Sequence, residues 1–329
     1  MVSPILVLAE SSGGKVLALS LEALAMGRKA ARESGTSLAV LVCGKGVLTA
    51  ANELLCYGAD KVLAVDNDLL ADLHPDLLCA AVSQACDIIK PGALFMAETL
   101  AALDLAPRLA ARLKTGCASD CVDVSFSRDT GGFIFTKPVY SGNVMAQFAL
   151  AGEPVVATFR ARAAEAPEPG AMSGRVENLD VSLVPSLARY EVVEKVSIDA
   201  TGGPRLESAD KIVSGGRGMG GPEGFAVLAE LAKALGGAVG ASRPPCDLGW
   251  ISPVHQVGIT GAIVAPSLYI ATGISGSTQH VAGMAGARVI VAINNNQDAN
   301  IFKIADFGIV GDWEKIVPAL TRAAAEIAG

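Results

Sequence analysis

Short apolar runs alternate with longer Ala- and Leu-rich segments through the first third of the chain. The runs are predicted strands at residues 5–8, 37–42, 62–65 and 94–96. The segments between them are predicted helices at residues 19–32, 48–57, 77–89 and 104–114, with Gly58 closing the second and Pro91 following the third. Since strands that alternate with helices are joined by crossovers, we expect a parallel sheet.

After Gly116 the pattern changes to short strands with turns between them, predicted at residues 122–126, 133–136, 144–150 and 155–159. This pattern indicates a mixed or antiparallel extension of the same sheet. Residues 160–178 are rich in Pro, Gly, Ala and charge, so we expect an exposed loop. A strand-like pattern returns at residues 190–198.

A second stretch interrupted by Gly and Pro, residues 199–207, predicts a linker between domains at 1–198 and 208–329. In the second domain, predicted strands again alternate with predicted helices. Its predicted strands lie at residues 211–213, 238–239, 262–264, 268–272, 289–293 and 307–310, and its predicted helices at 225–235, 279–284 and 313–328.

Composition narrows the possible classes of protein. A hydrophobic fraction of 51% with aromatics at only 5% suits parallel strands covered by helices. A net charge of −7 argues against a nucleic-acid surface, and no apolar run is long enough to cross a bilayer. The seven cysteines are scattered through apolar segments, which disfavours a metal site. The N-terminus enters a strand at once, so we expect a cytoplasmic, bacterial protein, with a mitochondrial or other processed organellar protein as the open alternative.

Gly216, Gly218 and Gly221 form a G-x-G-x-x-G run directly after a predicted strand and before a predicted helix. That context is typical of a dinucleotide phosphate loop, although a tight turn with close helix packing has comparable weight. Arg217 inside the run favours the phosphate interpretation, because a guanidinium is a good phosphate partner. Ser242 and Arg243 stand where an NAD-binding domain carries an acidic residue, which counts against that class.

Small polar residues also follow other predicted strands, at residues 256–260, 273–280 and 294–296. His280 lies in the second of these clusters, while His74 and His255 are expected to be structural. Neither a catalytic triad nor a cluster of carboxylates is evident. Neutral hydrogen-bonding groups with arginines, but without a proton-transfer pair, suit a redox cofactor that brings its own chemistry.

These residues closely resemble the C-terminal FAD domain of the electron transfer flavoprotein α subunit. The resemblance rests on SGGRG (214–218), GASRPPCDLGW (240–250), QVGITG (256–261), LYIATGISGSTQHVAGM (268–284), VAINNNQDANIF (291–302) and ADFGIVGD (305–312). The N-terminal half fits more loosely, through GADKV (58–62), DLAPRLAARL (104–113) and KPVYSGN (137–143).

The resemblance implies an α/β fold with two domains: an N-terminal Rossmann-like sheet domain and a C-terminal flavodoxin-like parallel-sheet domain that binds FAD. It also implies a heterodimer with a β subunit that holds AMP or a second FAD. Electrons would pass from flavoprotein dehydrogenases, as in fatty acid β-oxidation, to a membrane or soluble acceptor such as a quinone oxidoreductase. The alternatives are an electron-bifurcating complex that uses NADH, an NAD-dependent dehydrogenase, and a cofactor-free scaffold.

By position, the resemblance also implies roles for individual residues. Arg217, Ser242, Ser275 and Gly276 would serve the phosphates. Arg243 would lie near the isoalloxazine ring, Thr260 near its N5 and His280 at its C2 carbonyl, so that Arg243 and His280 place positive charge or donors where negative charge builds on reduction. The remaining implied contacts are Asn294, Asp312 and Trp313 at the adenosine end, and Gln256, Val257, Gly258, Ile259, Ser277, Thr278 and Gln279. Many family members carry Gln where this chain has Ile259, a departure that could alter the flavin potential.

Overall fold

A computed structural model of the chain describes residues 3–72, 74–140, 142, 144–172, 174–194 and 204–328. Contacts divide the chain into two compact units, Met1–Lys195 and Val196–Gly329. The predicted boundary at residues 198 and 199 lies outside the described residues, and the predicted linker ends in a described 3-10 turn, Leu206–Ser208. The exact boundary therefore stays a prediction.

The first unit contains twelve strands and four helices among its described residues. The strands are β1 (Ile5–Ala9), β2 (Ser11–Ser12), β3 (Lys15–Val16), β4 (Leu38–Gly44), β5 (Lys61–Asp66), β6 (Ala93–Ala97), β7 (Cys117–Cys121), β8 (Asp123–Ser127), β9 (Gly132–Val139), β10 (Val144–Ala149), β11 (Val155–Phe159) and β12 (Arg175–Asn178). The helices are α1 (Ala18–Ser34), α2 (Leu48–Leu54), α3 (Pro75–Ile89) and α4 (Leu100–Leu113).

A parallel sheet of seven strands organises this unit, in the order β12-β5-β4-β1-β6-β11-β7. The central strand β1 pairs with β4 on one side and β6 on the other, and all five of its residues are buried. Such continuous burial explains the uniformly apolar runs, because helices cover both faces of a parallel sheet. Two apolar clusters, one built around Phe95 and the other around Leu94, form the two layers of the core. The predicted Rossmann-like architecture is confirmed.

The region after Gly116 differs from the predicted extension of this sheet. Strands β8, β9 and β10 form a separate antiparallel sheet, whereas β11 is a parallel strand of the main sheet, between β6 and β7. The physical reason is visible in β9, where Phe133 and Phe135 are buried and Ile134 between them is half-exposed. A strand of this kind packs only one face against the core.

Two other predictions for the first unit are wrong. The segment predicted as an exposed loop, 160–178, contains β12, which pairs in parallel with β5 at the edge of the main sheet. Its sequence is polar because an edge strand is half solvated. The predicted strand at 190–198 is absent from residues 190–194, and residues 195–198 lie outside the described part of the chain.

The second unit contains five strands and four helices among its described residues. They are β13 (Lys211–Gly215), α5 (Pro222–Leu235), β14 (Ala238–Ala241), α6 (Arg243–Asp247), β15 (Leu268–Thr272), α7 (Thr278–Met284), β16 (Ile290–Asn294), β17 (Phe307–Val310) and α8 (Trp313–Ala328).

All five strands of this unit are parallel, in the order β14-β13-β15-β16-β17. Numbered within the unit, that order is 2-1-3-4-5, the flavodoxin-like arrangement, so the predicted parallel sheet is confirmed. The strand predicted at 262–264 is not formed. The N–H of Ala262 donates to the Gln256 carbonyl and that of Val264 to the Gly283 carbonyl, so this apolar run is joined to a loop and a helix instead of a strand of the sheet.

Candidate functional site

The order in which the chain adds strands to the second sheet reverses direction between β13 and β15. From β13 the chain passes first to its outer neighbour β14 and then returns to β15 on the other side. The connections that follow these two strands therefore run in opposite directions along the sheet. In open α/β folds, ligands bind in the crevice at such a point, so the crevice expected here lies at the carboxyl ends of β13 and β15.

Glycines let the two loops at this crevice meet backbone to backbone. The Gly216 N–H donates to the Thr272 carbonyl at 2.8 Å, and the Gly218 N–H donates to the Gly273 carbonyl at 3.0 Å. A Cβ on Gly216 would lie 2.6 Å from the Gly273 carbonyl carbon, and one on Gly218 would lie 2.9 Å from the Gly273 Cα. Gly273 itself has a φ of 62°, a left-handed conformation that favours glycine. The G-x-G-x-x-G run is thus part of a two-loop contact.

The loop after β15 continues past Gly273 into a second tight turn. Gly276 has a φ of 83°, and a Cβ there would lie 2.7 Å from the Ile301 Cα. The Ser275 carbonyl accepts the Ile301 N–H at 3.1 Å. Within the described part of the chain, the N–H groups of Ser275, Gly276 and Ser277 have no acceptor. Unpaired backbone donors in a turn at a strand end are suited to bind an anion.

Predicted residues at the far strands hold the loops in place. The Asn294 side chain donates through Nδ2 to the Ile274 carbonyl at 2.9 Å and accepts the Asn296 N–H at 2.9 Å. The Trp313 indole N–H donates to the Gly218 carbonyl at 3.1 Å. Asp312 caps α8 by accepting the Glu314 N–H at 3.0 Å. These polar groups build the crevice wall, and their contact with an adenosine stays a prediction.

The loop at residues 256–261 forms the other flank and is tied to two elements, β14 and α7. The Val257 N–H donates to the Ala241 carbonyl at the end of β14, at 2.8 Å. The Ile259 N–H donates to the Gln279 carbonyl of α7, at 3.0 Å. Within the loop, Gln256 is buried and its Nε2 donates to Thr260 Oγ1 at 2.8 Å. Ile259, which is 58% exposed, and Thr260 are left facing outward. Both side chains are exposed to a ligand, although the Thr260 hydroxyl already accepts a hydrogen bond from Gln256.

Gly258 allows this loop to press against α7. Its φ is 146°, and a Cβ would lie 3.0 Å from the Gln279 carbonyl oxygen. A Cβ on Gly283 of α7 would in turn lie 3.0 Å from the Gly258 carbonyl carbon. The exposed start of α7, which includes Thr278 and Gln279, is thereby fixed beside the loop. The predicted residues 256–260 and 275–280 are therefore brought together.

His280 is buried beneath these residues, with only 4% of its surface exposed. Its Nδ1 lies 3.0 Å from the Val257 carbonyl oxygen and its Nε2 lies 3.0 Å from the Tyr269 hydroxyl. Burial lowers the imidazole pKa to about 4, and the hydrogen bond with Val257 opposes that shift. Burial therefore favours a neutral ring at neutral pH, which leaves His280 the other expected role, that of a hydrogen-bonding group, and its contact with a flavin carbonyl stays a prediction.

Positive charge at the crevice comes instead from arginine side chains. Arg217 is exposed in a 3-10 turn, Arg217–Met219, directly after β13. Arg243 begins α6, and its Nε lies 3.1 Å from an Asp247 carboxylate oxygen in an exposed ion pair. Ser242, which is buried, donates its N–H to the Gly215 carbonyl at 3.0 Å and so fixes where α6 begins. Arg217 is available to an anionic ligand, whereas Arg243 is held in an exposed ion pair with which such a ligand would have to compete.

The other histidines have structural surroundings, as expected. His255 Nδ1 lies 2.9 Å from the Val239 carbonyl oxygen, and His74 is buried against the Tyr190 ring at 4.3 Å between centroids. Across the described ranges, no group of side chains is suited to hold a metal ion. No helix in the described part of the chain combines the length and hydropathy needed to span a membrane.

Two residues with clear roles near the crevice did not stand out in the sequence: Asp247 and Tyr269. Gly273 stood out only as the first residue of the 273–280 cluster, and its close backbone contact was not foreseen. Asp247 lies four residues after Arg243, the spacing of a helical ion pair. Nothing in the sequence distinguishes Tyr269 from an ordinary core residue of a strand.

Comparison with known proteins gives consistent matches along the chain. Residues 5–184 match the electron transfer flavoprotein domain, and residues 205–285 match the electron transfer flavoprotein FAD-binding domain. The chain is 41% identical to an electron transfer flavoprotein subunit alpha of Thermoanaerobacterium thermosaccharolyticum, over 95% of each chain. It is 41% identical to that of Bacillus subtilis, over 97% of this chain and 96% of the relative. It is 38% identical to the protein FixB of Azotobacter vinelandii, over 95% of this chain and 89% of the relative.

Proposed function

The chain belongs to the electron transfer flavoprotein α-subunit family, and from this premise we propose that its second unit binds FAD in the crevice at the carboxyl edge of the five-stranded sheet. Bound FAD supplies the group that accepts and releases electrons. The protein's own residues hold the dinucleotide, set the electrostatic field around it and keep its phosphates at the loops.

The observation that carries this proposal is the glycine contact at the boundary between β13 and β15. Side chains at Gly216 and Gly218 would collide with the Gly273 backbone, and one at Gly276 with the Ile301 backbone, so glycines bring these loops together at the edge where phosphates bind in such folds. The unpaired N–H groups at 275–277 point to an anionic ligand. The cradle formed by these loops thus fits a diphosphate, which FAD carries and a free flavin does not.

The charged and polar side chains around these loops support an FAD whose diphosphate lies against them. We propose that Arg217, beside the glycine run, binds the diphosphate, and that Ser242 and Ser275 contribute polar contacts. Arg243 would supply positive charge near the ring, where negative charge develops on reduction. Thr260 and Ile259 would face the ring from the other flank, since both are exposed on a loop that is otherwise fixed. Asn294, Asp312 and Trp313 would line the adenosine end, with their polar groups shared between wall and ligand.

We further propose that the partner is an electron transfer flavoprotein β subunit that carries AMP or a second FAD. Flavoprotein dehydrogenases, including those of fatty acid β-oxidation, would deliver electrons, and a membrane or soluble acceptor would receive them. The names of the relatives support a subunit of a larger electron carrier. The relatives come from bacteria, and a bacterial cytoplasmic location remains our prediction.

Flavin content of the assembled complex tests the proposal. The chain is co-expressed with its β partner, and the FAD released from the purified complex is measured against protein. We expect at least one FAD per complex, and one equivalent fewer in Arg217→Ala, because the variant loses its diphosphate partner. Arg322→Ala, at an exposed position late in α8, is the matched control and should retain wild-type FAD. Equal flavin in all three complexes, or nicotinamide in place of FAD, would overturn the proposal.

A further inference from the structure

The indole of Trp313, the first residue of α8, is bonded to the glycine run that follows β13. Its N–H donates to the Gly218 carbonyl at 3.1 Å, although the two residues lie 95 positions apart. Gly218 belongs to the 3-10 turn Arg217–Met219, which carries the cation proposed for the diphosphate. Among the described residues, no other hydrogen bond joins this turn to α8.

Gly218 uses both of its backbone groups to fix the turn. Its N–H donates to the Gly273 carbonyl at 3.0 Å, and its carbonyl accepts the indole N–H. On the other side of Arg217, the Gly216 N–H donates to the Thr272 carbonyl at 2.8 Å. The two backbone N–H bonds attach the turn to the end of β15 and the loop after it, and neither reaches α8. The indole therefore supplies a separate attachment, and the backbone on both sides of Arg217 is held.

Trp313 is itself held in place by the start of α8. The Asp312 carboxylate caps the helix by accepting the Glu314 N–H at 3.0 Å. The Gly311 N–H donates to the Asn294 carbonyl at the end of β16, also at 3.0 Å. The indole ring is partly buried and packs against the apolar core of the unit. A donor that is fixed by packing and by neighbouring hydrogen bonds can hold its acceptor in one geometry.

The bond joins two parts of the proposed FAD site. Arg217 lies on the turn and is the proposed partner of the diphosphate, whereas Asn294 and Asp312 are proposed for the adenosine end. The diphosphate and the adenosine are joined covalently, so their protein contacts must keep a matching separation. A turn that was free to move relative to α8 would have to be ordered when the ligand binds, at a cost in affinity.

We propose that Trp313 is a positioning residue, whose indole N–H holds the turn Arg217–Met219 at a set distance from α8 and so presents Arg217 to the diphosphate. Its effect on affinity rests on the proposed FAD site, because it acts through Arg217. The hydrogen bond itself belongs to the protein and does not require a ligand. This role is separate from a contact of the ring with the adenosine, because it uses the N–H alone.

Removal of the indole N–H tests the role. Trp313→Phe keeps an aromatic ring and loses the donor, and we expect the Kd of the flavin-stripped α/β complex for FAD to rise about threefold to tenfold. Thr321→Val is the matched control, because it removes a side-chain donor to the Val317 carbonyl at 3.0 Å in the same helix. The control should bind FAD with the wild-type Kd. An unchanged Kd in Trp313→Phe, or an equal change in Thr321→Val, would overturn the proposal.

A double-mutant cycle shows whether Trp313 acts through Arg217. In the Arg217→Ala background, we expect Trp313→Phe to change the Kd by less than about twofold, because the group that it positions is gone. The same fold-change in both backgrounds would contradict the positioning role. The single variants also separate this inference from the proposed function. Wild-type affinity in Arg217→Ala would refute the diphosphate assignment, whereas a weakened Arg217→Ala with a normal Trp313→Phe would refute the positioning role alone.

Hydrogen exchange of the indole tests the bond without FAD. The chain has two tryptophans, so the Trp313 N–H signal in nitrogen NMR of the complex is the one lost in Trp313→Phe and retained in Trp250→Phe. We expect slow exchange with water in flavin-loaded and flavin-stripped complexes alike. Exchange as fast as that of a free indole in the stripped complex would overturn the proposal. If Trp313→Phe does not assemble, the signal is assigned from Trp250→Phe and this measurement decides.

Discussion

Replacing Gly216 with alanine perturbs the two-loop contact with the smallest possible side chain. Gly216 has φ −104° and ψ −172°, an extended conformation that alanine adopts without strain. Any effect of Gly216→Ala must therefore come from the contact across the crevice. The added Cβ would lie 2.6 Å from the Gly273 carbonyl carbon and 2.7 Å from the Ile274 Cα. Both atoms belong to the backbone, so neither can rotate away.

The magnitude follows from the displacement that relieves this clash. Carbon atoms pack favourably at about 3.5–4.0 Å, so the two loops must separate by roughly 1 Å. That separation breaks the hydrogen bonds that join Gly216 to Thr272 and Gly218 to Gly273. Overpacking costs about 1–3 kcal/mol and each of the two lost bonds about 0.5–1.5 kcal/mol, so the free energy of unfolding should fall by about 2–6 kcal/mol.

Urea unfolding of the complex, followed by far-UV circular dichroism and by flavin release, measures this change. Gly132→Ala is the control, because the added Cβ would have Thr130 Oγ1 at 3.8 Å as its nearest neighbour. The control should be as stable as wild type or slightly more stable. A Gly216→Ala complex that unfolds within about 0.5 kcal/mol of wild type and retains FAD would refute the cradle geometry.

Other perturbations test the surroundings of the crevice. The Thr272 hydroxyl is buried and unpaired among the described residues, so Thr272→Val should raise the unfolding free energy by about 1 kcal/mol. The Thr158 hydroxyl donates to Glu98 at 2.6 Å, so the control Thr158→Val should lower the unfolding free energy. A loss of stability in Thr272→Val would contradict the assignment. Arg243→Ala should lower the FAD midpoint potential in a redox titration, by about 60 mV for a tenfold loss in the equilibrium constant of one-electron reduction. Asp247→Asn frees the arginine from its ion pair and should raise the potential. Shifts of the same sign in the two variants would be inconsistent with charge tuning. The pKa of His280 is about 4 in the folded chain against 6.5 when unfolded, so only the unfolded state takes up this proton between those pH values, and the unfolding free energy should fall by up to about 1.4 kcal/mol per unit as pH drops through them. His280→Asn should lack that part of the pH dependence, and identical pH profiles of the two proteins would argue against a buried neutral ring.

The strands of both parallel sheets could be predicted because their burial leaves a direct trace in the sequence. The fully buried strand β1 is apolar at every position. Gly58 ends the helical segment that contains α2, in a left-handed conformation. The polar edge strand β12 leaves no such trace, because half of its surface is solvated. Nor could the place of β11 be foreseen, since the antiparallel strands β8, β9 and β10 separate it from the strand elements before it. Pairing order depends on contacts between distant segments, and local pattern does not encode it.

In the candidate site, too, features set by local sequence could be predicted, whereas contacts between distant segments could not. The glycine run with Arg217, and the polar clusters after β15 and β16, follow from local spacing and from the rule that strand ends bind ligands. The contact of Gly216 with Gly273, and the burial of His280 against Tyr269, require the packed fold. Hence the strand ends that form this edge could be predicted from the sequence. The burial of His280, which lowers its pKa, could not, because it depends on how distant segments pack.

A density map of the flavin-loaded α/β complex tests the central claim most directly. We predict an FAD whose diphosphate lies against the backbone of residues 216–218 and 275–277, with its isoalloxazine ring between Arg243 and Thr260. A map in which this edge of the sheet carries no flavin, while FAD is bound only within the partner subunit, would contradict the account.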